Sequence, residues 1–260
     1  MDDQEFRQIL EHFGYSWKGY RKVRKGVKKR LTRHMRDLHC ESLQSYLEAI
    51  QKNAEVRNEC EQRMTVSISH FFRDRKVWED LEHMILPSID APIVRVWCAG
   101  CARGEEVYSF QMTWNRSEQN RKLEVIATDL NPLYLEQAKS GIYKKSSIKE
   151  LPEEMLEHYF DQIDEKRIRV KSFLQENISW KEHDLFQTPP DQDFHLIFLR
   201  NNLFTYYEED SQKKALEKIV ASLSDGGYLI IGAHEKIPEG MNHLKIYEGN
   251  PCIYKKHYCF

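Results

Sequence analysis

Nowhere in the 260 residues is there an uninterrupted apolar run of roughly 18 residues, the length a membrane-spanning helix needs, and no membrane insertion is expected. The first residues, Met1-Asp-Asp-Gln-Glu, lack the basic and apolar regions of a secretory leader, so a cytoplasmic location is expected. Metal-binding repeats are missing as well. Cys98 and Cys101 form a lone C-x-x-C, with no second such pair and no H-x-x-x-H to complete a zinc site. No metal is expected; the pair reads as small residues lining a turn, with redox chemistry the alternative. The remaining cysteines stand at 40, 60, 252 and 259. Internal repeats and low-complexity tracts are also absent.

What is present is a globular composition, 40% hydrophobic and 31% charged, long enough for a full α/β domain and a smaller companion. The net charge of −2 conceals a concentration of ten Lys/Arg residues between Lys18 and Arg36. Residues 1–88 read as an all-helical domain with a linker. Asp3–Phe13 is amphipathic and ends at Gly14. From Tyr20 to Leu38, Val23, Val27, Leu31, Met35 and Leu38 form one apolar stripe, with the basic residues on the opposite face. Ser42 is placed to cap the next helix, another follows over 54–64, and Pro87 should close a helix carrying Trp78, Leu81, Met84 and Ile85.

From residue 89 onward strands and helices alternate. Strands are expected at 93–97, 123–128, 177–182, 194–199 and 227–232, with helices at 104–115, 131–139 and 208–222. This pattern predicts an α/β fold, a doubly wound parallel sheet, over 89–260. Residues 141–176 break the alternation and read as a small inserted β-subdomain, with a strand around Ile168–Lys171. The tail predicts an edge hairpin turning at Gly249-Asn250-Pro251.

The most informative stretch is Val94-Arg-Val-Trp-Cys-Ala-Gly-Cys-Ala-Arg-Gly-Glu-Glu-Val-Tyr-Ser109, an apolar strand, a small-residue turn and an acidic helix start. A second strand, Leu123-Glu-Val-Ile-Ala-Thr-Asp129, ends in an acid placed to accept ribose hydroxyls. A phosphate would want glycines and a bare helix N-terminus. Glu105 and Glu106 would repel it, and one of them suits the ammonium of a cationic ligand such as S-adenosylmethionine (SAM). Asp184, after the strand at 178–183, could meet an adenine amino group or simply serve a turn. Thr65–Asp74 and Phe194–Tyr207 add hydroxyl, aromatic and basic groups; a plainer reading buries Phe71 and Phe72 and pairs Arg73 with Asp74 or another acid.

Together these segments resemble the CheR-type chemotaxis-receptor methyltransferases over almost the whole chain. The likeness runs through Ser69-His-Phe-Phe-Arg73, Gly104-Glu-Glu-Val-Tyr-Ser109, Ala127–Pro132, Ala138–Tyr143, Leu199–Tyr207 and Asp225–Glu235. It implies a Rossmann-like SAM-dependent methyltransferase that esterifies glutamate side chains and releases S-adenosylhomocysteine. Carried over by position, the cofactor contacts are Ser67, Ser69, Arg73, Glu106, Asp129, Asp184, Leu185, Arg200 and Asn201. Arg73 and Tyr206 are the catalytic candidates. Four departures stand out. Ser67 replaces a frequent Asn, Ser69 a Thr, and Ala102-Arg103 the usual Ser-Thr. Thr205 falls where the family places a tyrosine near the transferring methyl, one residue before Tyr206.

The implied partner is an acidic helical region of a chemotaxis receptor or related signalling protein, docking on the basic helix face. Near-neutral overall charge and the lack of a stacking-aromatic module argue against nucleic acid. Two alternatives remain open: a SAM-binding, catalytically altered regulatory or scaffold protein of the same family, and a methyltransferase for a different acceptor.

Overall fold

The computed structural model describes residues 1–67, 69–118, 120–148 and 151–257, so Cys259 lies outside the described residues. The chain forms two compact units, one of residues 1–67 with 203–212 and the other of 68–202 with 213–260. The division thus falls at 67, not at 88, because the segment after it packs with the sheet: Trp78, Leu81, Ile85 and Leu86 share a core with Val94, Val96 and Phe198.

In the helical unit, α1 (Asp3–His12) begins with a capping box. Asp2 accepts the Gln4 and Glu5 amides while Glu5 accepts the Asp2 amide. It is followed by α2 (Trp17–Tyr20), α3 (Arg24–Asp37), α4 (Leu43–Lys52) and α5 (Ala54–Met64). Ser42 caps α4 as expected, and Asn53 caps α5. The helix expected from Tyr20 to Leu38 is interrupted, with Tyr20 closing α2 and Arg24 opening α3. Of the apolar stripe, Val27 and Leu31 are fully buried while Val23, Met35 and Leu38 flank the core. Steps of four fall behind a 3.6-residue period, so the third buried position on this face is His34.

His34 is the polar centre of that core. Its Nδ1 lies 2.8 Å from the Tyr46 hydroxyl and its Nε2 2.9 Å from Glu59 Oε2, linking α3, α4 and α5. A neutral ring that accepts from Tyr46 and donates to Glu59 satisfies both contacts. Burial, then the nearby Arg63, lowers the His34 pKa, against the pull of Glu59.

In the second unit, α6 (Arg75–Asp80) continues through a π-helical turn at Leu81–Ile85 into α7 (Leu86–Ser88). Pro87 therefore does not close a helix before it. The wide turn pairs the Leu86 amide with Leu81, five residues back, and accommodates a residue with no amide hydrogen. The sheet and its connections follow: β1 (Ile93–Ala99), α8 (Glu105–Arg116), β2 (Lys122–Asp129), α9 (Pro132–Ser140), β3 (Ile142–Lys144), α10 (Glu153–Tyr159), β4 (Phe160–Gln162), β5 (Arg167–Val170), β6 (Ile178–Glu182) and β7 (Phe194–Phe198). After α11 (Leu203–Tyr206) and α12 (Glu209–Ala221) come β8 (Leu223–Ile230), β9 (Leu244–Tyr247) and β10 (Asn250–Lys256).

Seven strands pair in the order β6-β2-β1-β7-β8-β10-β9. The first five are parallel, and the β9–β10 hairpin adds antiparallel at the edge. Its turn is at Glu248-Gly249, both with positive φ, so Asn250 and Pro251 already belong to β10 and not to the turn. Val94, Val96, Trp97 and Cys98 are completely buried, as both-face burial of a central parallel strand requires. Strand order reverses between β1 and β7, which places a crevice over their carboxyl ends. Residues 141–176 supply the second sheet, β3-β5-β4, antiparallel and packed around Tyr143, Tyr159, Phe160 and Ile168. Among the described residues, no helix is long and apolar enough to cross a membrane.

The segment after β7 belongs to the helical unit. There the Ser16 amide donates to Tyr206 O at 2.7 Å and the Glu208 amide to Gly14 O at 2.9 Å. A Cβ on Gly19 would come within 2.0 Å of Thr205 O, so α2 and α11 touch backbone to backbone.

Candidate active site

The turn after β1 is held to the end of β2. Amides of Gly100 and Cys101 both donate to Thr128 O at 2.8 Å. Asp129 completes the lock, with Oδ2 accepting the Ala102 amide at 2.8 Å and Oδ1 the Asn131 amide at 2.9 Å. Its carboxylate is 8% exposed; burial raises its pKa and the backbone amides oppose the rise. The cap of α9 is Asn131, not Asp129, which leaves Asp129 facing the turn. Gly104 has φ 88°, and a Cβ there would meet the Ala138 Cβ at 2.9 Å. Only glycine allows the turn to lie this close to α9. Cys98 and Cys101 are buried free thiols; burial, then Glu106 for Cys98 and Asp129 for Cys101, pushes their pKa values up.

The two acids that open α8 differ in partner. Glu106 Oε2 accepts from Arg200 Nη1 at 3.1 Å. Burial raises the Glu106 pKa and Arg200 draws it back. Glu105 is 6% exposed, a hydrogen bond from Ser69 favours its charged form, and its Oε2 has no hydrogen-bond partner among the described residues. Such an atom costs about 1–3 kcal/mol unless something donates to it. Burial also raises the Glu105 pKa, opposed by its own amide and by the charges of Arg103 and His70.

Arg200 is the centre of a buried network. Its Nη2 donates to Asp74 Oδ2 at 2.8 Å and to the Arg73 carbonyl at 2.7 Å, and its guanidinium lies 5.5 Å from the Trp78 ring. Burial alone would raise the Asp74 pKa; Arg200, with the Ala233 amide and the charge of Arg73, holds it below the usual value. Asp74 thus pairs with Arg200. Asn201 follows with its amide donating to Glu235 Oε2 at 2.7 Å, which also accepts the Gly232 amide at 2.8 Å. Phe72, Asp74, Ala102 and Asn201 all have left-handed backbone, at φ 51°, 60°, 48° and 55°. Strain of this kind in non-glycine residues gathers at functional sites.

Of the residues singled out from sequence, Ser69, Arg73, Glu106, Asp129, Asp184, Leu185, Arg200 and Asn201 all lie in the sheet unit, at or beside the ends of β1, β2, β6 and β7. Asp184 Oδ1 accepts the Phe186 amide at 2.9 Å, and the loop is tied to the site by the His183 amide on Asp129 O at 3.1 Å. Leu185 is buried. Phe71 packs on Tyr143 and Phe160, and Phe72 on Trp78. Ser67 and Tyr206 belong to the helical unit, where the Tyr206 ring lies 5.0 Å from Tyr20. Asp74, Trp78 and Glu235 were not among the candidates, although Asp74 and Glu235 close two of the motifs quoted above. An acid ending a motif beside a buried arginine was the available signal.

A turn with one carboxylate locked beneath it, and beside it a buried Glu105 oxygen lacking a partner among the described residues, suits a nucleoside with a positive far end. This defines a Rossmann-like, SAM-binding methyltransferase domain. The family described as "CheR methyltransferase, SAM binding domain" matches residues 67–253, and the chain belongs to it. A chemotaxis protein methyltransferase of Listeria monocytogenes is 34% identical over 196 residues, covering 74% of each chain. One of Borreliella burgdorferi is 31% identical over 207 residues, 75% of this chain and 72% of that one. Chemotaxis protein methyltransferase Cher2 of Pseudomonas putida is 27% identical over 97% of this chain and 96% of its own.

Proposed function

We propose that the protein transfers the methyl group of SAM to glutamate side chains of chemotaxis receptors. The observation that carries this reading is the ligand turn of a CheR-family domain, where Asp129 is locked under Ala102 and Glu105 holds a buried oxygen lacking a donor. These residues fit the cofactor: Asp129 retains lone pairs for ribose hydroxyls, and Glu105 can accept from an ammonium. When bound, SAM supplies a methyl on a sulfonium, open to in-line displacement by a carboxylate oxygen.

The chain's residues provide binding, alignment and shelter from water. Asp184 and Leu185 are assigned to the adenine edge. Arg73 is the cation suited to orient the acceptor carboxylate, and Arg200, its Nη1 and Nη2 bonded to Glu106 and Asp74, holds the Arg73 backbone in place. A glutamate with a pKa of about 4.3 is ionised at neutral pH and needs no general base. Positioning the reacting atoms at about 3–3.5 Å is then the main contribution of the protein.

Acceptor recognition falls to α3. Arg24 and Lys28 are held by Asp3, and Arg30 donates to the Arg63 and Thr65 carbonyls. Lys25, Lys29, Arg33 and Arg36 are exposed and recur at helical spacing on the face opposite Val27 and Leu31. An acidic receptor helix complements that stripe.

The test is transfer of a labelled methyl group from SAM to the cytoplasmic region of a receptor. Base-labile label is expected. SAM binding with base-stable label would assign another acceptor, and SAM binding with no label would overturn the enzymatic reading. One observation favours a non-catalytic SAM-binding protein: Thr205 occupies the family's tyrosine position while Tyr206 packs on Tyr20. Turnover that disappears in Arg73→Ala would exclude it.

A further inference from the structure

Two opposite charges flank the left-handed Gly104, and each has an unused hydrogen-bonding position. Among the described residues, the buried Glu105 Oε2 accepts nothing and the buried Arg103 Nε donates to nothing. They sense one another, since Arg103 favours the charged form of Glu105, but Glu105 Oε2 and Arg103 Nε do not bond to each other. Arg103 is fixed from two sides. Its guanidinium lies 5.3 Å from the Tyr134 ring centroid, and its carbonyl accepts the Tyr143 hydroxyl at 2.6 Å. Glu106, by contrast, already has its charge matched by Arg200.

We propose that Arg103 and Glu105 divide the α-amino-acid end of the cofactor between them, Glu105 Oε2 accepting from the α-ammonium and Arg103 Nε donating to the α-carboxylate. A sulfonium has no hydrogen to give, so it cannot satisfy the orphan carboxylate oxygen. A ribose hydroxyl could, but it carries no charge to match Arg103. A group with one cationic donor and one anionic acceptor a few ångströms apart answers both needs. Arg103 stands where the family pattern has an uncharged threonine, so this chain adds a charge to the ligand turn. Arg103 is then a specificity residue, selecting ligands that keep the carboxylate, and Glu105 is the ammonium acceptor in preference to Glu106.

The inference rests on the SAM-binding reading, and three ligands separate the two. S-adenosylhomocysteine carries both charged groups. S-adenosyl-3-thiopropylamine keeps the amine and lacks the carboxylate, and 5′-methylthioadenosine lacks both. Calorimetric titration of each is carried out with wild type, Arg103→Thr and Glu105→Gln, all checked by thermal melting. Arg103→Thr is expected to weaken S-adenosylhomocysteine at least tenfold and leave the other two unchanged. Glu105→Gln is expected to weaken both amine-bearing ligands and spare methylthioadenosine. Unchanged S-adenosylhomocysteine affinity in either variant, or an equal loss for all three ligands, overturns the division proposed here. Wild type that binds none of the three overturns the cofactor reading itself.

Discussion

Arg200→Met tests the buried network most directly. The Arg200 side chain is 2% exposed, and its partners Glu106 and Asp74 are 12% and 23% exposed, so solvent screens the loss poorly. Methionine retains the stem and its packing on Trp78 but leaves two buried carboxylates unmatched. Breaking a buried pair from one side costs roughly 3–5 kcal/mol. In a unit of this size each kcal/mol moves the melting midpoint by about 2–4 °C, so a fall of roughly 6–20 °C is expected. The loss should also depend on pH. The Glu106 pKa is already raised by burial, and without Arg200 it rises further. A carboxyl raised in the folded state favours folding while protonated and loses that contribution as pH rises through its folded pKa. The deficit of the variant should therefore be larger at pH 8 than at pH 5.5. Thermal melts of both proteins at the two pH values provide the comparison. A deficit below about 1 kcal/mol, or one that does not change with pH, would refute the assignment of Arg200 as the centre of the network.

Three other outcomes are expected. Ala102→Gly relieves a left-handed φ of 48° while keeping the amide that Asp129 accepts, so stability should rise by about 1 kcal/mol with S-adenosylhomocysteine affinity retained; a lower melting midpoint would contradict it. The His34 pKa is lowered in the folded state, so the unfolded chain binds the extra proton first and stability falls as pH drops below about 6.5. His34→Gln should flatten that dependence between pH 7.5 and 5.5, as read by helical circular dichroism. Lys29→Glu combined with Arg33→Glu should reduce kcat/KM for a receptor at least tenfold and weaken its salt dependence, with S-adenosylhomocysteine affinity unaltered. Equal rates at low salt would remove α3 from acceptor recognition.

The fold was readable where one physical signal dominated. Continuous apolar runs marked β1, β2 and β7, and the small polar cap Ser42 marked α4, because burial and capping are local demands. The boundary at 88 was not readable. Whether Trp78 and Leu81 face a helical core or a sheet depends on partners more distant in the chain, and an amphipathic helix looks the same in both settings. The site shows the same contrast. Asp129 could be placed from its position at a strand end, whereas the choice between Glu105 and Glu106 depended on Arg200, roughly 95 residues away. Likewise, apolar spacing pointed to Met35 and Leu38 and passed over His34, whose burial is compensated by Tyr46 and Glu59 from other helices.

The return of Leu203–Gln212 to the helical unit has a consequence for biosynthesis. The first 67 residues leave the ribosome without the backbone that Gly19 packs against and without the carbonyl that Ser16 must bond. At usual elongation rates the roughly 140 residues separating them from Thr205 take on the order of 7–30 s to synthesise. Throughout that interval Tyr15, Tyr20 and Gly19 lack their final neighbours, and the sheet strands up to β7 emerge before them. The helical unit is therefore completed only when Leu203–Gln212 has been synthesised.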